Sequence, residues 1–203
     1  SFRLVFRSQY GPSKLRYKLF NDESATDEFN TLILRAGFCN TWYHWDGSQR
    51  NIAQYIRDPW TKDTQIEMMG IGSHNSYVHL FLNGLYWGLY SISERLDEEF
   101  METYLGGNEE DYDVIKDYTE LVSGTLDNWN AMMTLANKGL SDNTSYFKIQ
   151  GKNPDGTDNP GYPEYLDVDN LIDYMLINIY GGNDDWDHHN WVAARNRISP
   201  GSG

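Results

Sequence analysis

Alternation of apolar and polar residues, the pattern of a half-buried strand, marks the first part of the chain. Residues 2–7 and 15–20 both alternate in this way, and the Tyr-Gly-Pro-Ser sequence at 10–13 between them is typical of a turn. The two runs predict an antiparallel β-hairpin. Another short apolar run, residues 31–35, predicts a separate strand.

A second hairpin has the clearest local pattern in the chain. Residues 77–82 and 85–93 are strand-like runs, and Asn83 and Gly84 lie between them. An Asn-Gly pair between two such runs predicts a two-residue type I′ turn, because both positions need a positive φ. Residues 112–116 predict one further short strand.

Helical spacing of apolar residues predicts helices over residues 49–69 and 128–138. Asp58 and Pro59 interrupt the first, so we expect a kink or two consecutive helices there. Residues 142–163 are rich in Asn, Asp, Gly and Pro, which predicts a long irregular loop inside the domain.

The last third of the chain combines an apolar helix, a polar loop and a strand. Asp169 is positioned to cap a strongly apolar segment at 171–179, which predicts a buried helix. The polar residues at 183–190 follow, and a β-prone run at 191–194 comes next. Because rigid neighbours hold the side chains of such a loop in place, we predict the functional site here.

Composition narrows the class of protein. The 203 residues, of which 15% are aromatic, suit one folded α+β domain over residues 1–203 and argue against disorder. The formal net charge of −14 favours a basic polypeptide or a cation as partner over nucleic acid or an anionic membrane. No apolar run approaches the roughly 20 residues of a membrane span. Cys39 is the only cysteine, which excludes an internal disulfide and a zinc–thiolate cluster.

Three chemistries could use the polar loop. Asp187, His188 and His189 match the short signature of metal-dependent phosphoesterases, although such sites need further Asp and His clusters that the other histidines do not supply. A Ser-His-Asp hydrolase has little support, because no Gly-x-Ser-x-Gly sequence occurs.

The third chemistry uses Asp185 and Asn190, which have the spacing Asp-x-x-x-x-Asn. In protein kinases an Asp at this spacing orients the attacking hydroxyl, and the Asn binds a magnesium ion that bridges the phosphates. The alternative is that both residues only cap the backbone of their own loop.

Four motifs together resemble the CotH-type atypical kinases, a family named for a spore-coat protein. The stretch at 82–90 contains an Asn-Gly turn and continues into a Tyr-x-Gly-x-Tyr-x-x-x-Glu signature that ends at Glu94. Leu-Arg-Ala-Gly at 34–37 and Tyr-Asp-Val-Ile-Lys at 112–116 are also similar to family sequences. Gly-Asn-x-Asp-Trp-x-x-His-Asn at 182–190 is similar to the catalytic stretch.

The resemblance implies a kinase-like fold, with an antiparallel sheet lobe and a helical lobe. It also implies a secreted or cell- or spore-surface protein that uses ATP with Mg²⁺, or with another divalent cation such as Mn²⁺ or Ca²⁺. Its substrates would be serine or threonine side chains of proteins, and the charge of this chain favours basic ones.

Carried onto this sequence, the resemblance makes Asp185 the catalytic residue and places Asn190 and Asp187 at the metal. It places Glu94 in the hinge beside the adenine. Either Arg35 or Lys116 would approach phosphate, and the sequence does not choose between these two.

The family usually has a Gly-rich turn and lysines before the first strand, and a Trp-Asp-x-Asp or Trp-Asp-x-Glu motif after the last one. This sequence has neither, which predicts a domain truncated at both ends and inactive on its own. Two alternatives therefore remain open: an inactive, pseudokinase-like protein-binding module, and the phosphoesterase with Asp187, His188 and His189.

Overall fold

The structure is a computed structural model and describes residues 1–199. The chain divides into two compact units, the first over Ser1–Arg95 and the second from Leu96 onward. Each unit combines helices with antiparallel strands, which confirms the predicted α+β class.

The first unit is built on a four-stranded antiparallel sheet with the order β1-β4-β6-β5, beside a short β2-β3 ladder. Alternate residues of its central strands β4 and β6 are buried in one apolar cluster with two phenylalanines: Phe20, Phe29, Leu32, Leu34, Tyr90 and Ile92. The elements of this unit are β1 (Phe2–Val5), β2 (Leu15–Arg16), β3 (Glu28–Phe29), β4 (Thr31–Arg35), α1 (Gly47–Ile52), α2 (Arg57–Met69), β5 (Asn75–Leu82) and β6 (Leu85–Glu94).

The predicted hairpin between residues 2–7 and 15–20 is wrong. Strand β1 pairs with β4, with Phe2 opposite Leu34, whereas β2 pairs with β3, with Leu15 opposite Phe29. Alternation determines which face of a strand is buried, but it does not select the partner strand. In the structure, β1 completes the sheet beside β4, whose Leu34 is buried.

The Asn-Gly hairpin is confirmed. Strands β5 and β6 pair in antiparallel register on either side of Asn83 and Gly84, whose φ angles are 51° and 80°. Both are positive, as the type I′ turn requires. The turn sets the register of β6 against β5. Strand β6 ends at Glu94, one residue before the end of the unit.

Two consecutive helices replace the single run over 49–69, as one of the two expectations allowed. The break lies at residues 53–56, however, and not at Pro59. Pro59 is the third residue of α2, in the first turn, where a backbone N–H has no partner inside the helix. A proline there interrupts no hydrogen bond, so α2 continues to Gly70, whose φ of 72° ends it.

The second unit is built on a three-stranded antiparallel sheet with the order β8-β7-β9. The central strand β7 supplies the most deeply buried side chains, Tyr112 and Val114. The elements are α3 (Glu98–Leu105), β7 (Tyr112–Lys116), β8 (Glu120–Ser123), α4 (Asp127–Ala136), α5 (Asn143–Lys148), α6 (Val168–Tyr180) and β9 (Val192–Asn196).

The region 142–163 is not entirely irregular, since it begins with helix α5. Asp142 caps this helix by accepting a hydrogen bond from Ser145 N at 3.0 Å. The cap of α6 is Asp167, which accepts from Asn170 N at 2.9 Å, and not Asp169 as predicted. Asp169 lies in the first turn instead, where its charge still favours the positive end of the helix.

Helix α6 forms as predicted but is not buried. Ile177 and Asn178 are its buried residues, whereas Ile172, Leu176 and Ile179 are 47%, 51% and 64% exposed. The apolar sequence predicted a helix correctly, but apolar character alone does not show what covers it. Within residues 1–199, no helix is both long and apolar enough to cross a membrane.

Candidate active site

The polar loop connects α6 to β9 and brings the predicted pair Asp185 and Asn190 into contact. Asn190 Nδ2 donates hydrogen bonds to Asp185 O at 2.8 Å and to Asp185 Oδ2 at 3.1 Å. Asn190 has a φ of 65°, a left-handed conformation that Asn tolerates better than most residues. The Asp-x-x-x-x-Asn spacing therefore forms a closed loop with its carboxylate and its amide side by side.

The second carboxylate oxygen of Asp185 faces a histidine. His189 Nε2 lies 2.9 Å from Asp185 Oδ1, so each oxygen of the carboxylate has its own partner. His189 Nδ1 is buried and has no hydrogen-bond partner within residues 1–199. Burying an unpaired N–H is costly, which favours the tautomer that carries its proton on Nε2, toward Asp185. The Asp185 side chain is 68% exposed and remains accessible to a substrate.

The turn between β7 and β8 holds the far end of this loop. Asp117 Oδ1 accepts hydrogen bonds from Asn190 N at 2.5 Å and from Trp191 N at 3.3 Å. The ring of Tyr118 stacks on His189, with centroids 6.0 Å apart and planes 10° apart. Sequence reasoning missed Asp117, because its partner Asn190 lies 73 positions away and no local pattern marks it.

Helix α6 holds the beginning of the loop. Trp186 Nε1 donates to Tyr174 OH at 3.0 Å, and Asn183 Nδ2 donates to Oδ1 of the buried Asn178 at 2.8 Å. Burial raises the pKa of the Tyr174 phenol, so this hydroxyl stays protonated near neutral pH. The loop is thus fixed at both ends, as the prediction of a functional site there requires.

Two other predicted residues of this unit, Asp187 within the loop and Lys116 at the end of β7, pair with side chains outside the Asp185–Asn190 pair. Asp187 is 80% exposed, and its Oδ1 lies 3.6 Å from His188 Nδ1. Lys116 is the last residue of β7, and its Nζ lies 3.3 Å from Glu120 Oε1. The potential metal-ligand cluster of the described chain consists of Asp185, His188 and His189, and not of Asp187 with the two histidines.

In the first unit, Arg35 belongs to a network of three charges. Arg35 NH1 lies 2.7 Å from Asp58 Oδ1, and Lys62 Nζ lies 3.1 Å from Asp58 Oδ2. Burial lowers the pKa of the Lys62 ammonium, and the Asp58 carboxylate opposes that effect. Sequence reasoning missed Asp58 and Lys62, although their i, i+4 spacing on a helix was a local signal of a charge pair.

Glu94 is the last residue of β6, and its carboxylate is buried inside the first unit. Its Oε2 accepts a hydrogen bond from His74 N at 2.8 Å and lies 2.7 Å from His74 Nδ1. With a side chain only 4% exposed, Glu94 stabilises the segment before β5. Its position beside an adenine stays a prediction, one that would involve its backbone rather than this carboxylate.

Comparison with known protein families gives a match over residues 14–197, to the family described as CotH kinase protein. The chain belongs to the CotH kinase family. The match extends from just before β2 to just after β9 and includes the closed loop with Asp185 and Asn190. Comparisons with curated proteins and with solved structures gave no match.

Membership of the CotH kinase family implies in general the use of a nucleotide and a divalent metal. The donor set around Asp185 fits such an ion, because carboxylate and amide oxygens are the ligands that Mg²⁺ prefers. The amide nitrogen of Asn190 is turned toward Asp185, which leaves its oxygen as the atom that could bind a cation.

Proposed function

We propose that this chain is a protein serine/threonine kinase domain that uses ATP and a divalent cation, Mg²⁺ or alternatively Mn²⁺ or Ca²⁺. The observation that carries the proposal is the Asp185–Asn190 contact inside a loop fixed at both ends, in a member of the CotH kinase family. A kinase-like fold is part of the same proposal.

In this proposal, Asp185 orients the hydroxyl of the substrate and accepts its proton. Asn190 and His189 hold one carboxylate oxygen each, so the carboxylate cannot rotate freely. A positioned acid–base group is worth about 10²–10⁴ in rate. Asn190 and Asp187 are the proposed ligands of the metal, which when bound neutralises negative charge on the phosphates.

Arg35 is the better candidate for a phosphate contact. Asp58 binds NH1 of its guanidinium, and the side chain is 50% exposed. A guanidinium has five N–H donors, so most of them remain for phosphate oxygens. Lys116 offers a single ammonium group, which is already paired with Glu120. Glu94 remains the proposed hinge residue, because the first unit ends directly after it at Arg95.

The proposed substrates are basic proteins that contain Ser or Thr, at the cell or spore surface or outside the cell. The net charge of −14 supports the choice of a basic partner and weighs against nucleic acid. The location rests on membership of the CotH kinase family alone.

The test is transfer of labelled γ-phosphate from ATP to a Lys- and Arg-rich peptide that contains Ser. We expect residues 1–203 alone to transfer little phosphate. In a version extended by the two family motifs that this sequence lacks, we expect transfer with Mg²⁺ or Mn²⁺, and Asp185→Asn should reduce its rate by about 10²–10⁴. Asp184→Asn is the matched control, since Asp184 is the exposed neighbour without a proposed role. Equal rates for the wild type and for Asp185→Asn would contradict the assignment.

A further inference from the structure

Asp185, His188 and His189 form a group of potential metal ligands within the polar loop. One ligand atom from each lies within 4.8 Å of the others, and His189 Nε2 is only 2.9 Å from Asp185 Oδ1. We propose that these three side chains bind one transition-metal dication of the zinc, nickel or copper(II) class.

The donor chemistry separates this site from a magnesium site. Two imidazoles and one carboxylate suit Zn²⁺, Ni²⁺ and Cu²⁺, whereas Mg²⁺ prefers oxygen ligands. The rings of His188 and His189 are in contact, with centroids 4.1 Å apart and planes at 61°. A dication between two neutral imidazoles and a carboxylate satisfies all three groups with one centre.

The loop already orients two of the three ligands. Tyr118 stacks on His189, and Asn190 holds Asp185 Oδ2 and its backbone oxygen, which leaves Asp185 Oδ1 on the side of the histidines. Because these contacts are made by side chains and backbone of the chain itself, binding requires little ordering of the chain. The remaining ligand, His188, is half exposed and can adjust its ring.

The same contacts limit the affinity. To present Nε2 to a metal, His189 must carry its proton on Nδ1, which is buried without a partner in the part of the chain that the structure describes. Three protein ligands also leave an open coordination position, unlike a closed structural zinc site. We therefore infer an accessible, exchangeable site whose affinity depends strongly on His188 and Asp185.

Occupation of this site has a consequence that rests on the proposed function. The metal would take Asp185 Oδ1, the oxygen next to His189, and thereby compete with a substrate hydroxyl for the same carboxylate. Zn²⁺ would then inhibit phosphate transfer even when Mg²⁺ is in excess.

The binding test needs no nucleotide and no activity. Zinc chloride is titrated by calorimetry into the full chain without a polyhistidine tag, and one site per chain is expected. His188→Ala and Asp185→Asn should each weaken binding by at least about tenfold, since each removes a ligand. Asp184→Asn and His79→Ala are the matched controls and should bind as the wild type does, because Asp184 is an exposed carboxylate of the loop outside the cluster and His79 is an exposed histidine of the first unit.

Three results would overturn the proposal: no zinc binding by the wild type, unchanged binding by His188→Ala, or a loss in Asp184→Asn as large as in Asp185→Asn. Melting temperatures of all variants distinguish lost ligands from lost folding. The visible absorption of bound Co²⁺ gives a second, direct measure of ligand loss in the same variants. Since no ATP is present, the result stands whether or not the chain transfers phosphate.

Discussion

Asn190 donates two hydrogen bonds from one amide nitrogen to Asp185, one to the backbone oxygen and one to the carboxylate. The two interpretations of this spacing, a catalytic pair and a self-capped loop, are therefore compatible. The nitrogen of the amide closes the loop, and its oxygen is available to a cation. A substitution of Asn190 should consequently affect both the stability of the loop and its use of a metal.

Asn190→Ala should lower both the melting temperature and the rate of phosphate transfer. It removes one hydrogen bond to a backbone oxygen, worth about 1 kcal/mol, and one to the Asp185 carboxylate. It also places alanine at a φ of 65°, which costs about 1–2 kcal/mol. Loss of the amide oxygen should raise the divalent-ion concentration that is needed for half-maximal rate. Thermal melting and a Mg²⁺ titration of the rate measure the two effects.

Asn190→Gly is the control for backbone strain, because glycine accepts a positive φ. We expect it to recover part of the stability that Asn190→Ala loses. It should still need the same raised divalent-ion concentration as Asn190→Ala for half-maximal rate. A Gly variant with wild-type metal dependence would show that the amide has no role at the cation.

Asp117 positions the loop by accepting hydrogen bonds from Asn190 N and Trp191 N. Asp117→Ala leaves Asn190 N and Trp191 N without their acceptor, so it should destabilise the second unit by about 1–3 kcal/mol. Asp117→Asn keeps an acceptor oxygen and should restore most of the stability and of the rate. Glu120→Gln, in the same hairpin, is the control, since its recorded partner is Lys116. Urea denaturation and transfer rates, measured together, would refute the positioning role if Asp117→Ala matched the wild type.

Local patterns predicted the parts of this fold that local interactions determine. The positive φ angles of Asn83 and Gly84 follow from the two residue types. The contact between Asp185 and Asn190 is also local, because both residues lie within one short loop. Such features depend on neighbours in sequence, so the sequence alone is enough.

Nonlocal choices were not predictable in the same way. Strand β1 had two possible partners, and its alternation is compatible with either of them. The contact of Asp117 with the loop follows from the pairing of β7 with β9, which brings the turn after Lys116 beside Asn190. Which side of α6 is exposed likewise depends on the elements that pack against the helix. The sequence of the helix shows only that this side is apolar.

Acid should destabilise the second unit through Asp113. Burial raises the pKa of this carboxyl, but hydrogen bonds from Asn128, Thr125 N and Arg197 and the charge of Arg197 outweigh it, so that the pKa lies below its ordinary value. The unfolded chain therefore binds more protons than the folded one between that lowered pKa and about 3.9. The stabilisation is complete above this range and is lost as the pH falls through it.

Urea denaturation between about pH 3 and pH 7 measures this contribution. Asp113→Asn should be less stable than the wild type at neutral pH and should lose less stability on acidification, because its side chain does not titrate. Asp155→Asn is the control for an exposed carboxyl whose pKa is also lowered by hydrogen bonds, from Thr157. An identical acid limb for the wild type and Asp113→Asn would show that Asp113 does not carry the effect.

Substitutions of Arg35 and of Lys116 should have different effects on nucleotide binding. If Arg35 contacts phosphate, Arg35→Gln should abolish most of the rise in melting temperature that ATP with Mg²⁺ produces, whereas Lys116→Gln should retain it.

Asp58→Asn should give an intermediate result, because it releases the guanidinium that Asp58 Oδ1 orients at 2.7 Å but leaves the guanidinium in place. Lys62→Met tests whether the second cation of the network takes part, since Arg35 still pairs with Asp58 in that variant. The measurement is the ATP-dependent shift in each variant relative to its own melting temperature without nucleotide. A full shift in Arg35→Gln together with a lost shift in Lys116→Gln would reverse the assignment and move the phosphate contact to the second unit.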